Sequence, residues 1–323
     1  MITAYRMENG TMLTSHEPVG ADGATPFWID IVRPTPEESA LVEKVTGLDL
    51  PTREEMVEIE ASSRLYGEND ALYMTATLPN ISTQPTPETT TVTFVINATQ
   101  LLTLRHGEPK SFDLFRQRLS KDAAVAASPA NALMSLLDVI VDRIADLVEL
   151  SAGEVDAMSS TIFGKGISSR RSGDYKDAIN RIGSTGISLG KVHDSIATLT
   201  RLIYFLTQAS DTAGLSKVQR SHLKTLSRDL HSIKEHGTAL DNKLNFLLDA
   251  TIGLVNLEQN QIIKIFSVVA VFFLPPTLIA SIYGMNFSDM PELRWDLGYE
   301  FSIGLMAVSA VITWAFFRLK KLL

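Results

Sequence analysis

The sequence predicts an α+β membrane protein, built as an N-terminal α/β cytoplasmic domain, a long helical stalk and two C-terminal transmembrane helices. Three observations predict it. Short β-rich runs alternate with helical patterns up to residue 128. Helical patterns alone follow from Pro129. Two long uncharged stretches, Ile265 to Phe287 and Phe301 to Phe317, close the chain. The expected divisions are 1–128 for the α/β domain, 129–261 for the long helices and stalk, and 262–323 for a two-span membrane domain. A chain of 323 residues, 45% of them hydrophobic, has enough apolar material for a folded body besides the spans.

In the first part, Phe27 to Val32, Leu72 to Leu78, Thr91 to Ile96 and Leu101 to Arg105 read as sheet strands. A helix opens at Thr35-Pro36-Glu37-Glu38, where Thr caps, Pro takes the first turn and the acids complement the dipole. Pro79 to Thr90, rich in proline and threonine, reads as an exposed loop within the sheet. In the second part, helical patterns cover Ala130 to Ile162 and Tyr175 to Ala209. A third starts near Ser216 and meets no proline before Pro275, so helix can run from the stalk into the membrane. In the third part, the first uncharged run of about 23 residues suffices to cross a ~30 Å hydrocarbon core at ~1.5 Å per residue. The second reaches that length with Gly298 to Glu300 and Arg318 as interfacial ends. Lys264 precedes the first span, and Arg318, Lys320 and Lys321 follow the second. The connection between the spans holds Asp289, Glu292 and Asp296 against Arg294. Positive charge stays inside, so both termini are expected in the cytoplasm and the connection outside. No signal peptide is expected at the N-terminus, which lacks an apolar core segment.

Composition narrows the function classes. Zero cysteines exclude thiolate metal sites, cysteine nucleophiles and disulfides. A net charge of −8 argues against a nucleic-acid partner and suits the handling of cations. Gly164-Lys165-Gly166 fails the phosphate-loop pattern, having glycine where Ser or Thr is needed, so no fuel site or enzyme activity is expected. His222, His231 and His236 are spaced so that they do not converge on a metal, and they read as solvated helix residues.

The third helix carries the pattern with chemical meaning. Alternating steps of three and four residues from Asp249 give Asp249, Gly253, Asn256, Asn260, Ile263, Ser267, Ala270, Leu274, Thr277 and Ser281, a seam that is small or polar almost throughout. Its flanks, including Ile265, Phe266, Val268, Val269, Val271, Phe272, Phe273 and Ile279, are bulky and apolar. Small residues in a span also serve close helix packing. The polar extension through Asp249, Asn256 and Asn260 instead suggests a wet axis, since a coiled-coil seam there would be apolar. Two spans cannot enclose water, so several copies are expected to close a ring, each contributing one seam. Ile263 and Leu274 would be its apolar constrictions. Pro275-Pro276 removes two amide donors in mid-span, and a kink is expected.

Lys264-Ile265-Phe266-Ser267, Phe273-Leu274-Pro275-Pro276-Thr277, Tyr283-Gly284-Met285-Asn286-Phe287 and Met290-Pro291-Glu292-Leu293 resemble the CorA magnesium channel family. Asn256 to Gln261, Trp28-Ile29-Asp30 and Ser62-Ser63-Arg64-Leu65-Tyr66 extend the resemblance over the whole chain. The resemblance implies a homopentamer in the bacterial inner membrane with a funnel-shaped cytoplasmic domain, the first span lining the pore and the second ringing it. It implies that Gly284, Met285 and Asn286 form the outer selectivity filter. It also implies Mg²⁺ in two roles: as cargo, with Co²⁺ and Ni²⁺ beside it, and as a cytoplasmic regulator held by acids between subunits. Asp138, Asp142, Asp146, Glu149, Asp229 and Asp241 are candidates for those acids, though each reads more readily as part of a solvated helix face. Mg²⁺ dehydrates reluctantly, so Asn286 amide and Gly284 carbonyl oxygens would contact it through its water shell. Asp289, Glu292 and Asp296 would concentrate cations outside. A zinc transporter similar to ZntB shares the architecture, but such transporters depart from the Tyr-Gly-Met-Asn and Met-Pro-Glu-Leu sequences. A membrane-anchored sensor would leave the polar seam unexplained.

Overall fold

The structure is a computed structural model and describes residues 1–8, 11–18, 25–58, 60–80, 88–121, 125–164, 172–285, 290–291 and 295–320. The chain divides into two compact units, Met1–Leu248 and Asp249–Leu323.

The first unit is built on a seven-stranded sheet of β1 (Ile2–Glu8), β2 (Thr11–Ser15), β3 (Trp28–Val32), β4 (Leu65–Glu68), β5 (Ala71–Asn80), β6 (Glu88–Ile96) and β7 (Leu101–Arg105), in the order β2-β1-β3-β7-β6-β5-β4. Only β3 and β7 pair in parallel. Both faces are covered. On one, Ile29, Ile31, Val95, Leu102 and Leu104 pack with Val42 of α1 (Pro36–Thr46) and Met56 of α2 (Arg53–Val57), after which the short α3 (Ala61–Arg64) leads into β4. Both helices open on a capping box, Thr35 with Glu38 and Thr52 with Glu55. α1 ends at Gly47 in the left-handed region, φ 70°, where a side chain would be strained.

On the other face Trp28 stacks on Tyr5 and meets the edge of Phe115 on α4 (Lys110–Leu119). This face also holds a buried ion pair. Arg105 donates from Nε and Nη2 to the two oxygens of Asp30 at 3.0 and 2.8 Å, and from Nη1 to the Gly107 carbonyl at 2.9 Å. Thr103 donates to Asp30 while accepting from the Trp28 indole, and the guanidinium lies over the Phe112 ring. With both side chains 2–3% exposed, the pair is tolerable only because each polar atom named has a partner.

α5 (Pro129–Phe163), capped by Ser128, and α6 (Ser172–Gln208) pack on each other and on β7 and β5 respectively. Beyond Met74, β5 has no outer strand because β4 ends. There the Thr77 amide donates to Thr198 Oγ1 of α6 at 3.0 Å, and the same hydroxyl approaches the Thr77 carbonyl at 3.4 Å.

The expected strands correspond to β3, β5, β6 and β7, and the three long helices to α5, α6 and α7 (Lys217–Tyr283). The expected loop is shorter than Pro79 to Thr90, because Pro79-Asn80 extends β5 and Glu88 to Thr90 begins β6. Residues 81–87 lie outside the described residues. β1, β2, β4 and α4 were not anticipated. The β4–β5 hairpin turns at Asn69 and Asp70, whose φ of 49° and 60° are the left-handed pair that a two-residue type I′ turn requires. In the second unit α7 continues to Tyr283, with Pro275 and Pro276 inside the helix, and α8 (Gly298–Leu319) follows.

Candidate functional site

α7 is a single helix of 67 residues. It opens on a reciprocal cap, in which Gln219 N–H donates to Ser216 Oγ and Ser216 N–H to Gln219 Oε1. It closes where Gly284 N–H reaches the Ala280 carbonyl at 2.9 Å. A Cβ at Gly284 would stand 3.1 Å from that oxygen, so glycine suits the close approach. Pro275 and Pro276 remove the amide donors to the Val271 and Phe272 carbonyls, and the Thr277 hydroxyl bonds the next carbonyl along, that of Phe273, at 2.7 Å.

None of the most apolar stretch of α7 is buried, and 11% of that of α8 is. A core helix of a water-soluble protein would be covered by its own chain, so these two are the chain's candidate membrane spans. Along the apolar part of α7 from Ile262 onward, the partly covered residues form one stripe, Val268, Phe272, Pro275, Pro276, Ile279 and Tyr283. The matching stripe on α8 is Ser302, Met306, Ser309, Ala310, Thr313 and Phe317. Its hydroxyls are turned back onto their own helix, Ser302 to Tyr299, Ser309 to Met306 and Thr313 to Ser309. Small side chains of this kind let helix backbones approach in a membrane.

All ten seam positions, Asp249, Gly253, Asn256, Asn260, Ile263, Ser267, Ala270, Leu274, Thr277 and Ser281, are exposed. At ~100° per residue, the membrane part of the seam lies roughly 170° around α7 from the covered stripe. The small, polar face is open along its length, and the opposite one is partly covered within the chain. Ile263 and Leu274 are 59% and 64% exposed, bulky apolar side chains within that open face.

Gly284 and Met285 are exposed at the end of α7, while Asn286, Asp289 and Glu292 lie outside the described residues. Asp296 is exposed and lines a groove with Trp295, Leu297, Glu300 and Phe301 just before and within the first turn of α8.

In the first unit, Asp138, Asp142 and Asp229 line a groove of about 400 Å³ between α5 and α7, together with Arg118. Burial, then the charges of Asp138, Asp146 and Asp229, push the Asp142 carboxyl up, and Arg118 opposes them. No group of three or more acids or histidines converges to hold a metal among the described residues. His222 is not simply solvated, because its Nε2 lies 2.6 Å from Asp138 Oδ1 on α5. His193 of α6 places Nε2 2.9 Å from Asp241 Oδ2 of α7, without hydrogen-bond alignment. Its ring rests on Gly237, where a Cβ would come within 2.9 Å of Cε1. Lys243 to Asp156 adds a third tie between α7 and its neighbours. Sequence reasoning missed this seating; the signal was a glycine in mid-helix with no turn to make.

The family model described as "CorA-like Mg2+ transporter protein" matches residues 23–321. Proteins described as "Magnesium transport protein CorA" from Yersinia pseudotuberculosis and Escherichia coli strain K12 are 33% and 32% identical over 321 residues, covering 99% of this chain and of each relative. The complete CorA magnesium transporter structure from Methanocaldococcus jannaschii superposes with a TM-score of 0.78 at 19% identity, covering 98% of this chain and 97% of that one, which establishes the shared fold.

Proposed function

The chain belongs to the family of CorA-like Mg²⁺ transporter proteins, and on that premise we propose that it is one subunit of a homopentameric channel passing Mg²⁺, with Co²⁺ and Ni²⁺ as further cargo. The observation that carries the channel reading is the open seam of α7, set opposite the face covered within the chain. A polar stripe left bare on a membrane helix is costly against lipid and stable against water, which other copies in a ring would enclose. Ile263 and Leu274 then form the dewetting constrictions, and Gly284, Met285 and Asn286 the outer filter.

The ion keeps its water shell at the filter, where amide and carbonyl oxygens accept hydrogen bonds from it. Asp289, Glu292 and Asp296 raise cation concentration at the outer mouth. An inside-negative potential of ~100 mV contributes about 4.6 kcal/mol to a divalent ion, sufficient drive without a fuel site. The membrane is the bacterial inner membrane with both termini cytoplasmic, as the charge asymmetry around the spans supports. The working parts are 1–128, 129–261 and 262–323. Mg²⁺ bound by acids between cytoplasmic domains shuts the channel.

Purified protein in liposomes loaded with a magnesium-sensitive dye tests this. A channel gives Mg²⁺ flux that falls as internal Mg²⁺ is raised. Zinc uptake that follows a pH gradient would replace the reading with a proton-coupled carrier, and no flux would leave only an anchor. Asn286→Ala should abolish selective Mg²⁺ flux with the oligomer intact, and unchanged flux would remove the filter assignment.

A further inference from the structure

α8 carries a feature that the channel reading does not use. Near its end the Arg318 guanidinium lies over the Trp314 ring, 5.1 Å from the centroid. Arg318 stands about 130° around α8 from the stripe covered within the unit, so the stacked pair is turned away from α7. The surface beside it is bare and apolar, with Val311 and Val308 62% and 55% exposed and Ala307 exposed with them. Lys320 is exposed one residue beyond the helix. A chain that crosses a bilayer twice returns to the side it left, so exposed Lys264 joins the same membrane face. No acidic residue lies between Lys264 and Phe287, or between Phe301 and Leu323, to neutralise these cations.

We propose that Arg318, held flat by Trp314 and with Lys320 at the same helix end, binds the headgroup phosphate of an anionic phospholipid whose chains lie along Val311, Val308 and Ala307. An arginine on an aromatic face keeps its N–H edges free, and that planar fork matches a phosphate. Trp at the headgroup depth is amphipathic in the sense the boundary requires. The long bare apolar strip beside the cation selects a lipid over free phosphate, which has nothing to place there. The end of a helix carries partial negative charge, which Arg318 offsets before any anion arrives. The inference requires that α8 meet lipid and is independent of whether the protein is a channel.

The test is thermal unfolding of the full-length protein in vesicles of phosphatidylcholine alone and with phosphatidylglycerol added. Wild type should melt higher with phosphatidylglycerol. Arg318→Gln should lose most of that gain, taken as the rise over its own melting temperature in phosphatidylcholine. Arg318→Lys, which keeps the charge and loses the fork, should lose part of it. Lys264→Gln removes the same charge without disturbing the stacked pair and should keep most of the gain. No gain for wild type, or equal losses for Arg318→Gln and Lys264→Gln, would overturn the site, the second outcome pointing to diffuse surface charge. A gain of the same size with inorganic phosphate added to phosphatidylcholine vesicles would overturn the lipid assignment.

Discussion

Asp30→Ala should be among the most damaging single changes in the first unit. The carboxylate accepts from Thr103 at 2.9 Å and from Arg105 at 3.0 and 2.8 Å, with Arg116 3.5 Å away. Without it, a guanidinium whose side chain is 3% exposed retains only the Gly107 carbonyl and the Phe112 ring. Removing one member of a buried, hydrogen-bonded pair costs ~3–5 kcal/mol, because the other charge is left without a partner. For a unit of this size that corresponds to a fall in Tm of about 6–20 °C. Tryptophan emission during thermal unfolding in detergent reads it, since Trp28 is fully buried against Tyr5 and Phe115. The double change Asp30→Leu with Arg105→Met removes both charges and should recover much of the loss. An Asp30→Ala protein that melts within about 1 °C of wild type, or a double variant no better than the single, would refute the assignment of an essential buried pair.

Because the chain has no cysteine, single cysteines can map the seam: Ser267→Cys and Thr277→Cys should react with a charged thiol reagent, and Val269→Cys and Phe273→Cys should not. Gly237→Ala should destabilise by up to ~2 kcal/mol, because crowding of the His193 ring, worth ~1–3 kcal/mol, outweighs a helix-propensity gain of ~1 kcal/mol. In a His193→Ala background the same change should stabilise, and a cycle measured by thermal melts shows whether the sign inverts. Burial and neighbouring carboxylates raise the Asp142 carboxyl, so its ionised form is disfavoured in the fold. That contribution to stability is full below the ordinary carboxylate range and lost as pH rises through the raised value. Asp142→Asn should therefore raise Tm at pH 7 and lose its advantage as pH falls below the ordinary carboxylate range, where wild type is protonated too.

The features legible in the sequence are those whose signal is local. The spans, the long helices and the α7 seam rest on periodicities of a few residues, and helix geometry turns such spacing directly into a face. β4 was not legible because four residues containing Gly67 carry little strand signal, and its turn uses Asn69-Asp70 in place of the stronger Asn-Gly pair. The Asp30–Arg105 pair joins residues 75 positions apart through the parallel β3–β7 contact, which no window detects. His193 over Gly237 likewise depends on how α6 and α7 meet.

The hydroxyl of Thr198 set against Thr77 has a consequence for how copies of the chain can join. Sheets grow into open-ended fibres when the free margin of one molecule accepts that of the next, a head-to-tail contact that never closes. Here α6 occupies the Thr77 amide and Pro79 has no amide to offer, so strand-by-strand polymerisation on that side is confined to the short β4.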